Sequence, residues 1–130
     1  LEIWTGDHNY GFIGSIEDYQ PLLTEKIFPN LTYMGLRNSF LTNSFAIALK
    51  DSYLLDQLNI LDFSMGTFSD KGAQALIDNP KTKNLSKLIV NHHYMSKKVA
   101  TNLKLLKIIV EMEGGLGEKE PEYRYVEVSE

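Results

Sequence analysis

Side chains able to do covalent, acid–base or metal chemistry are few in this 130-residue chain, and their spacing argues against each use. His8, His92 and His93 are the only imidazoles. His92 and His93 are neighbours on an extended stretch, so their side chains leave on opposite sides. No carboxylate sits at a spacing that would complete a zinc ligand set with them. Cysteine is absent, which removes thiol nucleophiles, disulfides and cysteine-ligated metals. Residues 114–119 (GGLGEK) lack the Ser or Thr that follows the lysine of a phosphate loop, and they open no helix. Asn30-Leu31-Thr32 and Asn84-Leu85-Ser86 spell glycosylation sequons, but their leucines fall at expected core positions. No nucleophile–base pair can be assembled. The expectation is a non-enzyme, with no catalytic residues, no metal and no cofactor.

What must position any binding residue is a repeat. Residues 58–76 read as one unit: Leu58, Leu61 and Phe63 make an L-x-x-L-x-L strand, Phe68 follows, and 69–76 supply an amphipathic helix with Gly72 and Ala73 inward. Leu31/Leu58/Leu85, Met34/Leu61/Leu88, Leu36/Phe63/Val90, Leu41/Phe68/Met95, Thr42/Ser69/Ser96, Ala46/Ala73/Ala100 and Leu49/Leu76/Leu103 each recur at 27 residues. One strand and one short helix cannot bury their apolar faces alone and must stack on copies of themselves. The units expected are near 1–30, 31–57, 58–84 and 85–112.

The two end units depart from the period. Leu1 precedes Met34 by 33 residues, while Ser15, Tyr19 and Leu22 keep register with Thr42, Ala46 and Leu49. Six extra residues therefore lie within 7–14 (DHNYGFIG), an insertion whose candidate binding side chains are Asp7, His8, Tyr10 and Phe12; the alternative is that Tyr10, Phe12 and Ile13 plug the end of the core. Ser15 with Asp18 spells a capping box opening a helix over 15–25. Further helices are expected near 43–50 and 70–78, the second stopped by Asn79-Pro80. Val110 lies only 22 residues beyond Leu88, which suits a terminal, capping unit. Residues 113–130 form an acidic C-terminal segment, in which 123–128 (YRYVEV) alternate like a last short strand after a loop. Opening at Leu1 in mid-strand, the chain reads as a fragment of a longer repeat protein.

The pattern L-x-x-L-x-L-x-x-N-x-L-x-x-x-G-x-x-x-L, met by Leu58, Leu61, Phe63, Phe68, Gly72 and Leu76, resembles the ribonuclease-inhibitor-like class of leucine-rich repeats, and the whole chain is similar to uncharacterised bacterial cytoplasmic proteins of that type. The resemblance implies an α/β leucine-rich-repeat solenoid, a right-handed β-α superhelix with a parallel sheet on its concave face and helices on its convex face. The ladder asparagine is replaced by Gly6, Ser39, Gly66 and His93, so the turn after each strand needs another partner, Asn38 or water. The helix glycine is Phe45 and Val99 in two copies. Between the inward columns, the resemblance turns Trp4, Tyr33, Arg37 and Ile60 outward, with Asn38, Met65 and His92 just beyond; aromatic, arginine and methionine side chains are enriched in interface cores.

Charge sharpens the partner class. From Glu111 onward seven acids face Lys119 and Arg124, leaving the first 110 residues at +1 of a total of −4. Residues 81–110 carry seven lysines and no acid, but spread over loop, strand and helix rather than along one face, which disfavours nucleic acid. No run approaches the roughly 18 apolar residues of a membrane span. The expectation is a cytoplasmic protein-interaction module or scaffold using the concave face; the alternatives are a regulator of a partner enzyme, as inhibitor or GTPase activator, and a structural unit that self-associates through its exposed repeat edges.

Overall fold

The computed structural model describes residues 1–6 and 14–128. Five strands, β1 (Glu2–Gly6), β2 (Tyr33–Ser39), β3 (Ile60–Asp62), β4 (Lys87–Ile89) and β5 (Ile109–Glu111), form one sheet in chain order, every pair parallel. A parallel connection needs a crossover. It is provided by α1 (Gln20–Thr24), by α2 (Thr42–Ala48) with the short α3 (Leu54–Gln57), by α4 (Asp70–Asp78) and by α5 (Lys97–Lys104), with α4 lying between α2 and α5.

The repeat spacing becomes lateral contact. Met34 stands opposite Leu61, and Leu61 opposite Leu88, while the irregular ends pair Glu2 with Gly35 and Leu88 with Val110. Every side chain of the Met34, Leu36 and Leu49 columns is fully buried between sheet and helices. Tyr19, Phe45, Phe63 and Phe68 run through the middle as consecutive ring contacts, centroids 6.2, 5.9 and 5.4 Å apart. The absent helix glycine is explained by this packing. Unit two puts the smaller Leu41 with Phe45 where unit three puts Phe68 with Gly72, and a Cβ on Gly72 would meet the Phe68 ring at 2.7 Å. Large and small residues trade places within a nearly fixed volume.

Helix starts are tied across units. Asn43 Oδ1 accepts the Ser69 and Gly72 amides (3.0 and 3.1 Å), and Asp70 Oδ1, one period on, accepts the Ser96 amide (2.7 Å). Ser15 behaves as expected, its amide donating to Asp18 Oδ2 at 2.8 Å. The helix behind it is split into a 3-10 turn, Ile16–Tyr19, and α1, with Pro21 in α1's first turn.

Two expectations are corrected. Residues 123–128 form no strand: Pro121–Tyr123 is a 3-10 turn, and 124–128 lie across the turns that follow β2, β3 and β4, with bends at 127 and 128. The turns themselves are closed by the residues that replace asparagine. Ser39 Oγ accepts the Leu41 amide (3.0 Å) and His93 Nδ1 the Met95 amide (3.2 Å), so neither Asn38 nor water is needed there. At Gly66 a Cβ would strike the Ser39 carbonyl, which demands glycine.

Candidate functional site

On the sheet face turned away from the helices, strand pairing brings the expected residues together. Trp4 is the lateral neighbour of Arg37, and Tyr33 of Ile60. Neighbouring parallel strands lie about 4.8 Å apart, so these side chains form one surface. Trp4 is 50% exposed, and the Arg37 guanidinium sits 5.2 Å from its ring, within cation–π range. Arg37 is further held by Glu2 (3.7 Å), by Asp62 (3.5 Å) and by Met65 Sδ, to which Nη2 donates at 3.2 Å.

The hub of this surface is a pair of carboxylates. Trp4 Nε1–H donates to Glu2 Oε1 (2.6 Å), and the Tyr33 hydroxyl shares its proton between Glu2 Oε2 (3.1 Å) and Asp62 Oδ2 (3.2 Å). Asp62 is 4% exposed and also accepts the Ser64 amide at 2.9 Å. The Trp4 hydrogen bond, then those of Tyr33 and the charge of Arg37, hold Glu2 below the ordinary carboxylate pKa. Burial first, then the negative charges of Asp62 and Glu2, push Tyr33 far up. Tyr33 thus stays a protonated donor, and the platform carries two carboxylates against one guanidinium. It is fixed, dipolar and aromatic, with no activated nucleophile within it.

Farther along the sheet the chemistry changes. Lys87 Nζ pairs with Glu111 (3.3 Å), and Asn91 donates to the same carboxylate (2.7 Å) while accepting the Glu113 amide (2.9 Å). Those hydrogen bonds, Asn91's first and then that of Lys87, lower Glu111's pKa. Ile60 is half-buried beside Tyr33, and Ile109 is exposed at the sheet edge.

Asn38, Met65 and His92 stand at the turns just beyond the strands, Asn38 buried and Met65 reaching back to Arg37 through its sulfur. All three have positive φ (50°, 68° and 58°), a left-handed backbone that non-glycine residues rarely adopt. Such conformations cost of order 1 kcal/mol or more each and cluster where structure over-determines them. They recur at the repeat spacing, and residues 124–128 lie across them: Asn38 is buried against Val128, Met65 accepts the Glu127 amide, and His92 meets Tyr125. Asp7, His8, Tyr10 and Phe12 lie outside the described residues. Among the described residues no three His, Asp or Glu side chains gather as a metal set, and no helix is long and apolar enough to cross a membrane.

Glu2 and Asp62 escaped selection as site residues although strand alternation turns both outward; only pairing shows that they share one tyrosine proton and one arginine. Tyr125 and Val126 carried no sequence signal for the groove that they occupy.

No protein-family model and no curated protein matches the chain. Among solved structures it is similar to a Bacteroides fragilis protein determined by crystallography as a structural-genomics target, at 26% identity and a TM-score of 0.82. The match covers 98% of this chain and 36% of that one, so the chain spans little more than a third of that protein's length.

Proposed function

We propose that the chain is a protein-interaction module of the ribonuclease-inhibitor-like leucine-rich-repeat kind, which binds a partner protein through the concave, open face of its sheet around Trp4, Tyr33 and Arg37. The repeat reading is supported by the 27-residue columns that become lateral neighbours on the sheet. The functional reading is carried by one observation: a half-exposed tryptophan stacked on an arginine that two carboxylates already fix in place. Ordering long side chains is a large part of the cost of association, and here it is met before the partner arrives. Aromatic and arginine anchors at the centre of an interface commonly carry about 2 kcal/mol or more each.

The test is capture of a partner by the full chain compared with Trp4→Ala. Retention should fall by at least about tenfold, the equivalent of 1.4 kcal/mol, with melting temperature unchanged. Equal retention would move the site elsewhere.

A further inference from the structure

Residues 124–128 are held much as a bound peptide is held. The Asn38 side-chain amide donates to the Val128 carbonyl (2.7 Å) and accepts the Val128 amide (2.8 Å), reading both main-chain polar groups of one residue as a neighbouring strand would. One unit along, the Met65 carbonyl accepts the Glu127 amide (2.7 Å). In the next unit His92 Nε2 meets the Tyr125 carbonyl (3.1 Å), and the Tyr94 hydroxyl both donates to that carbonyl and accepts the Tyr125 amide (3.0 Å each). Between these contacts a single side chain, Val126, is buried at 1% exposure, while Tyr125 remains half exposed. The grip is therefore largely on main chain, with one buried seat, the Tyr125 ring edge-on to His92 and Tyr94 (5.9 and 6.3 Å) and Arg124 Nη1 donating to Ser69 Oγ (3.2 Å). Left-handed residues at 38, 65 and 92 present it in three successive units.

The segment leading into the groove is lightly held, its main chain tied to Asn91, His92 and His93 through Glu113, Gly115 and Leu116. Residues 113–120 are exposed apart from the half-buried Leu116, and Gly114 and Gly117 have positive φ. With one buried side chain and no strand ladder, the tail belongs to the least stable part of the fold, where local opening is easiest.

We propose that this groove is a binding site for an extended segment of a partner protein, with residues 124–128 as its intramolecular occupant. The proposal rests on the reading of the chain as a protein-interaction module and gives that module a second contact surface. An incoming segment lays its main chain along Asn38, Met65 and His92 and places a β-branched aliphatic residue in the Val126 seat, affinity coming from backbone hydrogen bonds and selectivity from the seat. A tethered tail competes at an effective concentration on the order of millimolar, so the groove stays closed until a better ligand or an unseated tail opens it.

The experiment uses the full chain and a labelled peptide of residues 120–130 (EPEYRYVEVSE), followed by fluorescence anisotropy. Val126→Asp puts a charge in the apolar seat and should free the groove, so that this variant binds the peptide at least about tenfold more tightly than wild type does. Adding Asn38→Ala should remove most of that binding. Trp4, the single tryptophan, lines a cavity of about 410 Å³ with Asn38 and Val128, so its emission reports whether the tail has left. If Val126→Asp fails to fold, Glu127→Pro, which removes the amide given to Met65 and restricts the backbone at 126 and 127, takes its place under the same criteria. Peptide binding no better than wild type in an opened variant, or binding indifferent to Asn38→Ala, overturns the proposal. So does wild-type dimerisation by tail exchange, which would make the groove a self-assembly contact. Partner capture through the sheet face, measured on the same variant, separates the two surfaces: capture without peptide binding sinks the groove alone, and peptide binding without capture sinks the sheet face alone.

Discussion

The open sheet face and the covered turn column use the same repeat in opposite ways. Along the turn column the backbone is nearly constant, with φ between 50° and 68°, while the side chains change from Asn38 to Met65 to His92. On the sheet face polar and aromatic side chains are concentrated at one end, where Trp4, Tyr33 and Arg37 converge on Glu2 and Asp62. The first region is specified by geometry and recognises main chain; the second is specified by side chains. A repeat thus repeats a backbone, and where its side chains differ the surface differs.

The largest effect should come from the frame beneath both. Phe63 is fully buried against the rings of Phe45 and Phe68, so Phe63→Ala should cost about 3 to 5 kcal/mol in denaturant unfolding, and both regions should be lost in one transition. Separate transitions would mean that the two surfaces do not share a core.

Next in size is the sheet-face network. Tyr33→Ala with Arg37→Ala leaves the buried Asp62 carboxylate with only the Ser64 amide, so the double variant should lose about 1 to 3 kcal/mol of stability. Surface residues with no such partner would lose less than about 0.5 kcal/mol. A loss that small would show that the two side chains do not support Asp62.

The position beside the turn column should reveal itself through pH. Burial first, then the charge of His92, lowers the His93 pKa below 6.5; Asp70 opposes the shift, and Lys104 adds to it. Nδ1 accepts the Met95 amide, which requires the neutral ring. As pH falls through 6.5 the unfolded chain takes up a proton before the folded one does, so stability is full above that value and declines below it. His93→Asn keeps an acceptor for Met95 and carries no titrating proton. Its melting temperature should match wild type at pH 8 and fall less by pH 5; parallel curves would remove His93 as the cause.

Trp4→Ala should change stability least, within about 0.5 kcal/mol, because its ring is half exposed and its one hydrogen bond goes to an exposed carboxylate. Its effect belongs to partner retention. A clear loss of stability would place Trp4 in the structural frame instead.

Legibility in the sequence followed periodicity. The 27-residue columns located the strands, most of the buried layer and α4 over 70–78, because burial on one face of a strand and one stripe of a helix is a local pattern. The resemblance, laid over that alternation, turned Trp4, Tyr33, Arg37 and Ile60 outward, and on the sheet Trp4 neighbours Arg37 and Tyr33 neighbours Ile60. It failed over 123–128, where alternating YRYVEV looked like a strand but has no adjacent strand edge to pair with, and docks instead through Val126 and its main chain.

By itself, then, the sequence determined the unit, its spacing and the absence of thiol chemistry, since these depend on residue types and intervals alone. Only the tertiary structure decided that Glu2 and Asp62, far apart in the chain, share one tyrosine proton and one arginine, and that Asn38 serves the tail rather than the turn. Those contacts join residues from 25 to 90 positions apart, and nothing in local propensity encodes which distant hydrogen-bonding groups will meet once the units have stacked.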